Sequence, residues 1–235
     1  MEKIEVNRYV TKEFQSAEAM KTLRTNLMFS GEDVRAVALT SFSASEGKST
    51  VSFQLAASLA QAGKRVLLLD ADLRKSVLQN RLKIRGRIVG LSHYLSGMAT
   101  VNEVMNSTDV PGLFILFAGT RVPNASELLG SNRFKKLIPA LKEVFDYVIV
   151  DAAPLGQVID CAVMAPELDG VIMVVDTTRN SYKLERRMVN QLNKAGGKIL
   201  GVVLNRVDMK DRSGYYGRAY GYGYGYGGYG TESDK

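Results

Sequence analysis

The chain has a single cysteine, Cys161, and a single histidine, His93, in 235 residues. One cysteine excludes an internal disulfide, and one histidine excludes a His-rich metal site and argues against a Ser-His-Asp triad, so both read as structural residues. No apolar run approaches the roughly 18–20 residues that span a bilayer, and the opening Met1-Glu-Lys-Ile-Glu lacks a signal-peptide pattern, so a cytoplasmic protein is expected. Acidic residues are missing between Leu73 and Asn102, where Arg74, Lys75, Arg81, Lys83, Arg85 and Arg87 crowd the first half. Such a run is most often a solvated face, but its position directly after the Asp70/Asp72 strand end also lets it receive an acidic peptide or a phosphorylated tyrosine. The net charge of +7 suits a polyanion, an acidic partner or plain solubility. An apolar content of 46% over this length allows one sizeable core in a single domain.

What is present is organised around Val37–Val51, Val-Ala-Leu-Thr-Ser-Phe-Ser-Ala-Ser-Glu-Gly-Lys-Ser-Thr-Val, which runs from an apolar strand through a loop into a helix. It reads as a phosphate-binding loop formed by Ser45, Glu46, Gly47, Lys48, Ser49 and Thr50. Gly47 lets the backbone approach phosphate oxygens, Lys48 reaches the β/γ-phosphates, and Ser49 or Thr50 offers a hydroxyl to Mg²⁺. Phe42 stands where the consensus has its first glycine, and Ala44-Ser45 replace its flexible residues. Two further apolar strands end in acids: Val66-Leu-Leu-Leu-Asp70-Ala-Asp72-Leu-Arg74 and Tyr147-Val-Ile-Val-Asp151. A single strand-end aspartate usually caps the next loop. Three polar strand ends in order fit a parallel sheet, whose ligand chemistry collects outside the carboxyl ends, and phosphoryl transfer needs carboxylates there for Mg²⁺ and for a base.

Strands at Ala36–Ser41, Arg65–Asp70, Leu113–Phe117, Tyr147–Asp151, Gly170–Asp176 and Ile199–Asn205 are separated by helical stretches, notably Ser49–Ala62, Ser131–Val144 and Ser181–Lys194. The alternation predicts an α/β, mostly parallel, doubly wound sheet of the P-loop NTPase class. Ahead of it, residues 14–30 read as an amphipathic helix with Met20, Leu23 and Leu27 on one stripe. Such a helix either packs on the sheet or mediates self-association, and Glu18, Lys21 and Arg24, three apart, offer both signs of charge for a self-complementary contact. The division expected is a P-loop domain over 1–210 and a disordered tail over 211–235. From Ser213 to Gly230 the tail reads SGYYGRAYGYGYGYGGYG, with Tyr215, Tyr216, Tyr220, Tyr222, Tyr224, Tyr226 and Tyr229. Its glycine content opposes ordering. Only one arginine stands among the tyrosines, so no nucleic-acid partner is expected.

Taken together, Glu18-Ala-Met-Lys-Thr-Leu-Arg24, Glu46-Gly-Lys-Ser-Thr50, Leu69-Asp70-Ala-Asp72-Leu-Arg74-Lys75, Pro123-Asn-Ala-Ser-Glu127-Leu-Leu, Val150-Asp151-Ala-Ala-Pro154 and the tyrosine cluster resemble the bacterial tyrosine kinases of capsular and exopolysaccharide synthesis. The resemblance covers nearly the whole chain. It implies an ATP- and Mg²⁺-dependent protein-tyrosine kinase that phosphorylates its own tail in trans and regulates polysaccharide synthesis and export. It also implies catalytic roles for Lys48, Asp70 and Asp72, with Asp70 as base, and metal contacts from Ser49, Asp72 and Asp151. Asn205 and Arg206 are candidates for contacting adenine. The partners implied are a ring-like homo-oligomer, a separate transmembrane activator of the polysaccharide co-polymerase type that recruits the kinase to the inner face of the membrane, and a cognate phosphotyrosine phosphatase. Where the family favours arginine this chain has Lys21, which cannot make a bidentate contact. The competing class is the partitioning and cell-division-site ATPases, switches without kinase activity. Those carry a second lysine five residues before the loop lysine, where this chain has Ser43.

Overall fold

A computed structural model describes residues 3–179 and 182–207. In chain order the elements are α1 (Phe14–Met28), β1 (Ala36–Ser41), α2 (Lys48–Gln61), β2 (Val66–Asp70), α3 (Leu78–Arg81), α4 (Leu91–Leu95), α5 (Val101–Val104), β3 (Asn106–Ser107), β4 (Leu113–Leu116), α6 (Ala125–Leu129), α7 (Asn132–Val144), β5 (Tyr147–Asp151), α8 (Asp160–Met164), β6 (Gly170–Asp176), α9 (Tyr182–Lys194) and β7 (Ile199–Asn205). One seven-stranded sheet has the order β3-β4-β2-β5-β1-β6-β7, parallel throughout except for β3. The expected doubly wound sheet is therefore present, with the six predicted strands within a residue of their expected bounds. The two-residue antiparallel strand β3 and the short helices α3–α6 and α8 carry no readable period, because a turn or two of helix is too short to show one.

The central strands are buried on both faces, which is why they read as unbroken apolar runs. Alternate side chains enter two cores. Val37, Leu39, Val66 and Leu68 pack with α2 and Leu27 of α1, while Ala36, Ala38, Leu67 and Leu69 pack with α4, α7 and α9. The sheet order brings β2, β5 and β1 side by side, with Asp70 opposite Asp151 and Leu39 opposite Asp151 in the registers. The three motif-bearing strand ends are thus neighbours although they lie far apart in sequence.

Helix α1 ends two residues earlier than expected and packs on α2, with Leu27 buried. Arg24 is held inside its own chain: Nη1 donates to the Ser58 carbonyl at 3.0 Å and to Ser58 Oγ at 3.3 Å. Glu18 and Lys21 form an exposed pair at 2.6 Å. The tyrosine cluster at 215–229 lies outside the described residues. Among the described residues no helix is long and apolar enough to cross a membrane.

These contacts separate two kinds of residue on one helix. Arg24→Ala is expected to lower stability by about 1–2 kcal/mol, the effect of losing a charged donor to α2, whereas Glu18→Ala or Lys21→Ala should change it by less than about 0.5 kcal/mol. Urea melts of the three variants check this, and an Arg24→Ala chain as stable as the parent would show that the α2 contact contributes nothing.

Candidate active site

The loop after β1 takes its shape from two residues in the left-handed region, Ser45 (φ 68°) and Gly47 (φ 97°). A Cβ at Gly47 would collide with the Asn205 side-chain amide, so glycine is required there for close approach as well as for conformation. Glu46 is buried; its Oε1 accepts from the Ser43 amide at 2.5 Å, and its backbone carbonyl accepts from Asn205 Nδ2 at 2.8 Å. Arg206 Nη2 donates to the Ser45 carbonyl at 2.9 Å and Nη1 to Asp176 Oδ2 at 2.5 Å. Asn205 and Arg206 therefore clamp the loop backbone and do not line the cleft. The physical reason is that β7 ends level with the loop, and the loop's carbonyls need donors. Glu46 likewise turns inward as a brace and does not line the cleft.

A cleft of about 650 Å³ opens over this loop, lined by Ser45, Gly47, Lys48, Ser49 and Asp72, with Arg74, Arg81 and Pro154 on its walls. Lys48, at the first position of α2, is buried. Its Nζ lies 3.3 Å from Asp72 Oδ2, 3.3 Å from Asp151 Oδ1 and 3.3 Å from Ser49 Oγ. Burial works against the ammonium, but Asp151, Asp72 and Asp70 together outweigh it and hold the Lys48 pKa above the ordinary lysine value. Asp70 is fully buried behind Asp72. Its pKa is pushed up to about 7, first by burial and then by the charge of Asp151, against a hydrogen bond from Ser76. Asp70 Oδ1 also accepts from the Asp72 amide at 3.2 Å, and Asp72 Oδ1 accepts from the Lys75 amide at 2.9 Å.

The predicted residues divide. Lys48, Asp70, Asp72, Asp151 and Ser49 converge, with Ser49 facing the cleft. Thr50 is exposed and accepts from Arg81 outside it. Three residues escaped the sequence reading. Ser76 bonds Asp70 and lines a second cleft of about 290 Å³ that shares Asp72, Arg74, Lys75 and Arg121 with the first. Ser52 Oγ lies 3.5 Å from Asp151 Oδ1, one helical turn beyond Lys48. Asp160 is fully buried and grips Arg74 Nε at 2.7 Å and Nη2 at 3.1 Å, so this member of the basic run is a strut and not a free cation. Only Ser52, four residues from Lys48 on the same helix face, carried a signal that spacing could have revealed. His93 caps α4 by accepting from the Gly90 amide at 3.1 Å, and Cys161 is buried.

The left-handed loop, the buried ammonium and the open cleft above them suit a nucleotide's phosphates. Ser49, Asp72 and Asp151 are the oxygens that would hold Mg²⁺. Among the described residues no three carboxylate, imidazole or thiolate side chains form a metal cage. That is the normal situation for Mg²⁺, which is held through one or two protein oxygens with phosphate and water supplying the rest.

Fold and site together define a P-loop nucleotide-binding protein. The family model described as an AAA domain matches residues 34–200. The Streptococcus agalactiae tyrosine-protein kinase CpsD is 42% identical over 193 residues, 82% of this chain and 83% of its own length. The crystal structure of the chimerical protein CapA2B2 superposes with a TM-score of 0.79 at 30% identity, covering 87% of this chain and 92% of that one. The cell division ATPase MinD of Pyrococcus furiosus superposes with a TM-score of 0.62 at 27% identity, over 76% of this chain and 74% of that one. The chain belongs to the bacterial tyrosine kinase family of capsule and exopolysaccharide systems, and it is a protein-tyrosine kinase.

The raised pKa of Asp70 has a stability consequence. The folded chain binds the Asp70 proton more tightly than the unfolded chain, whose aspartate pKa is near 3.8. Between about pH 4 and pH 7 the folded state therefore holds more protons, and stability falls as pH rises by up to about 1.4 kcal/mol per unit. In EDTA without nucleotide, Asp70→Asn is expected to remove this part of the slope and to be more stable than the parent at pH 8. Denaturant melts from pH 5 to 8 check this, and identical slopes in the two chains would mean that Asp70 is ionised throughout.

Proposed function

We propose that the chain uses ATP and Mg²⁺ to phosphorylate Tyr215, Tyr216, Tyr220, Tyr222, Tyr224, Tyr226 and Tyr229 on a neighbouring copy, and so regulates polysaccharide synthesis and export. The observation that carries this reading is Lys48 Nζ placed between Asp72 and Asp151 at the base of an open cleft, with Asp70 directly behind. The tyrosine oxygen bonds to the γ-phosphorus of ATP as the bond to the β–γ bridging oxygen breaks and ADP leaves. Lys48 and the loop would hold the phosphates, and Ser49, Asp72 and Asp151 would hold Mg²⁺, which would neutralise charge on the phosphates. Asp70 takes the tyrosine proton, a role that a pKa of about 7 suits. Ser76, bonded to Asp70 and lining the smaller cleft, supports an approach of the tyrosine hydroxyl from that side.

Arg206, two residues before Asp208, is bonded to Ser45 on the chain's own cleft, and from Asp208 to Tyr222 a glycine-rich chain spans ~20 Å, so reach admits both routes; the family resemblance favours transfer between copies. A ring-like homo-oligomer supplies the neighbour. Exposed Phe14 and Phe29 at the two ends of α1, with the exposed Glu18–Lys21 pair between them, support that helix as the contact. Arg24 reaches a neighbour only by leaving Ser58. By family resemblance, a transmembrane polysaccharide co-polymerase-type activator brings the kinase to the inner face of the membrane, and a phosphotyrosine phosphatase resets it. Seven phosphates add about −10 to −14 charges, so crowded tails repel one another and the oligomer comes apart, most strongly at low salt.

Lys48→Met should abolish phosphotyrosine formation. It also strips three buried carboxylates of their cation, so it is expected to lose roughly 3–5 kcal/mol of stability at pH 7.5 and less at pH 5, where Asp70 is protonated. Undiminished autophosphorylation in the folded variant would end the kinase mechanism drawn here. To test the trans route, Lys48→Met chains carrying the tail are mixed, below their melting temperature, with active chains truncated after Arg212. The inactive chain should acquire phosphotyrosine, and an unmodified one would exclude transfer between copies.

A further inference from the structure

The net charge of the protein is not spread evenly. Residues 208–235 hold four basic and four acidic side chains, so the whole surplus of +7 belongs to residues 1–207. The stretch 177–198, which contains α9, has six cations, Arg179, Lys183, Arg186, Arg187, Lys194 and Lys198, against one acid, Glu185. Helix α9 buries Met188 and Leu192 against the sheet. At about 100° per residue, Arg186, Arg187, Asn190, Asn193 and Lys194 fall on one arc on the opposite side, and all five are exposed. Among the described residues, Arg186, Arg187, Lys194 and Lys198 make no ion pair. On α7, by contrast, Lys135 and Lys142 pair with Glu167 and Asp169. Helix α7 carries the same balance of four cations to one acid, but acids from outside the helix compensate two of its lysines. On α9 the cations stand together.

The last described residues lie beside the segment that precedes α9. The Thr177 amide donates to the Asn205 carbonyl at 3.2 Å, and its hydroxyl to the carbonyls of Asn205 at 3.3 Å and Arg206 at 3.2 Å. The connection that leads into α9 is therefore bonded to the last residues before the tail. Helix α9 has 13 residues, about 20 Å in length. Tyr215 to Tyr229 are 8–22 residues beyond Val207, and glycine-rich sequences of that length span roughly 15–28 Å, enough to reach any point along the helix. On the same side of the sheet, Val202 and Leu204 of the edge strand β7 are exposed and aligned with Met173 and Val175 of β6, an apolar shelf on which tyrosine rings can rest.

We propose that the outer face of α9 is a docking surface for the chain's own phosphorylated tail. This rests on the reading that the tail tyrosines are the phosphorylated residues. Unmodified, the tail is neutral and has nothing to set against the entropy of its glycines. Each phosphate adds about −1.5 to −2 charges and acceptor oxygens suited to guanidinium groups. Contacts shared among several phosphates and several arginines need no single ordered tail conformation. The consequence is a place for the product: the modified tail exchanges a neighbour's cleft, walled by Asp72, for its own basic helix.

The test uses a labelled synthetic peptide of residues 213–230, unmodified or carrying phosphate on Tyr222, Tyr224 and Tyr226. Its fluorescence anisotropy is followed against the phosphatase-treated full chain without nucleotide. The phosphopeptide should bind at least about tenfold more tightly than the unmodified one. Arg186→Ala/Arg187→Ala/Lys194→Ala should remove that preference. Lys83→Ala/Arg85→Ala/Arg87→Ala, which takes the same charge from another surface, should keep it, with melting curves confirming that both variants fold. A chain whose own tail has first been phosphorylated should bind the phosphopeptide at least about tenfold more weakly. Equal affinity for the two peptides, loss of binding only in the 83/85/87 variant, or α9 replacements that abolish attachment to anionic-lipid vesicles while leaving the phosphopeptide bound would each overturn the proposal. The synthetic peptide requires no kinase activity, so a chain that fails to phosphorylate itself yet binds the phosphopeptide would fault the phosphorylation reading and not the docking surface.

Discussion

One buried ammonium holds the catalytic end of this protein together. Lys48 has a carboxylate oxygen of Asp72 and one of Asp151 each at 3.3 Å, with Asp70 close behind, and all four side chains are nearly or fully buried. Three carboxylates in so small a volume repel one another strongly. Two relieve that repulsion through Lys48, and the third by holding its proton up to about pH 7. On the mechanism proposed above, chemistry and local stability share one electrostatic arrangement. Asp70, the proposed proton acceptor, is kept near neutrality by burial and the charge of Asp151, beside the residues proposed to handle phosphate and metal. Nucleotide and Mg²⁺ arriving in this cleft would re-partition the charges rather than meet a neutral pocket.

The loop that presents Lys48 is held from behind. Glu46 braces the Ser43 amide, Asn205 and Arg206 occupy two loop carbonyls, and Asp176 in turn holds Arg206. This chain lacks the glycine-rich opening of the usual loop, with Phe42, Ala44 and Ser45 in its place. The clamp from the ends of β6 and β7 supplies from outside the rigidity that loop composition does not. The clamp residues also stand immediately before the tail in sequence, so the segment that precedes the proposed acceptor tyrosines is bonded to the phosphate-binding loop itself.

Much of this was legible beforehand, for identifiable reasons. Strands buried on both faces show as apolar runs, and β1, β2, β4, β5 and β6 were legible because the sheet is parallel there and covered on both sides, while the edge strand β7 is apolar although one face is exposed. The convergence of Lys48, Asp72 and Asp151 followed from the rule that parallel strand ends share one edge. The adjacency of β2, β5 and β1 that makes the convergence tight is a property of strand order, which no local pattern encodes. Asn205 and Arg206 brace loop carbonyls, one of the two roles that their position at the end of β7 allows, because a strand end can serve a ligand or a loop equally well on sequence grounds. Ser76 and Asp160 were invisible: a serine between a lysine and a valine and an aspartate before a cysteine have no spacing that points to Asp70 or Arg74. The basic run from Arg74 onward looked uniform, yet its first member is locked to Asp160 and Arg81 reaches Thr50.

The central claim is that this charge cluster transfers phosphate to tyrosine and does not merely hydrolyse ATP as a switch. Its most direct test is intact-mass and peptide-mass spectrometry of the phosphatase-treated chain after incubation with Mg²⁺·ATP. The account predicts successive phosphoryl additions confined to tyrosines between residues 213 and 230 that do not form when Mg²⁺ is chelated. A chain that converts ATP to ADP while its mass stays unchanged would contradict it.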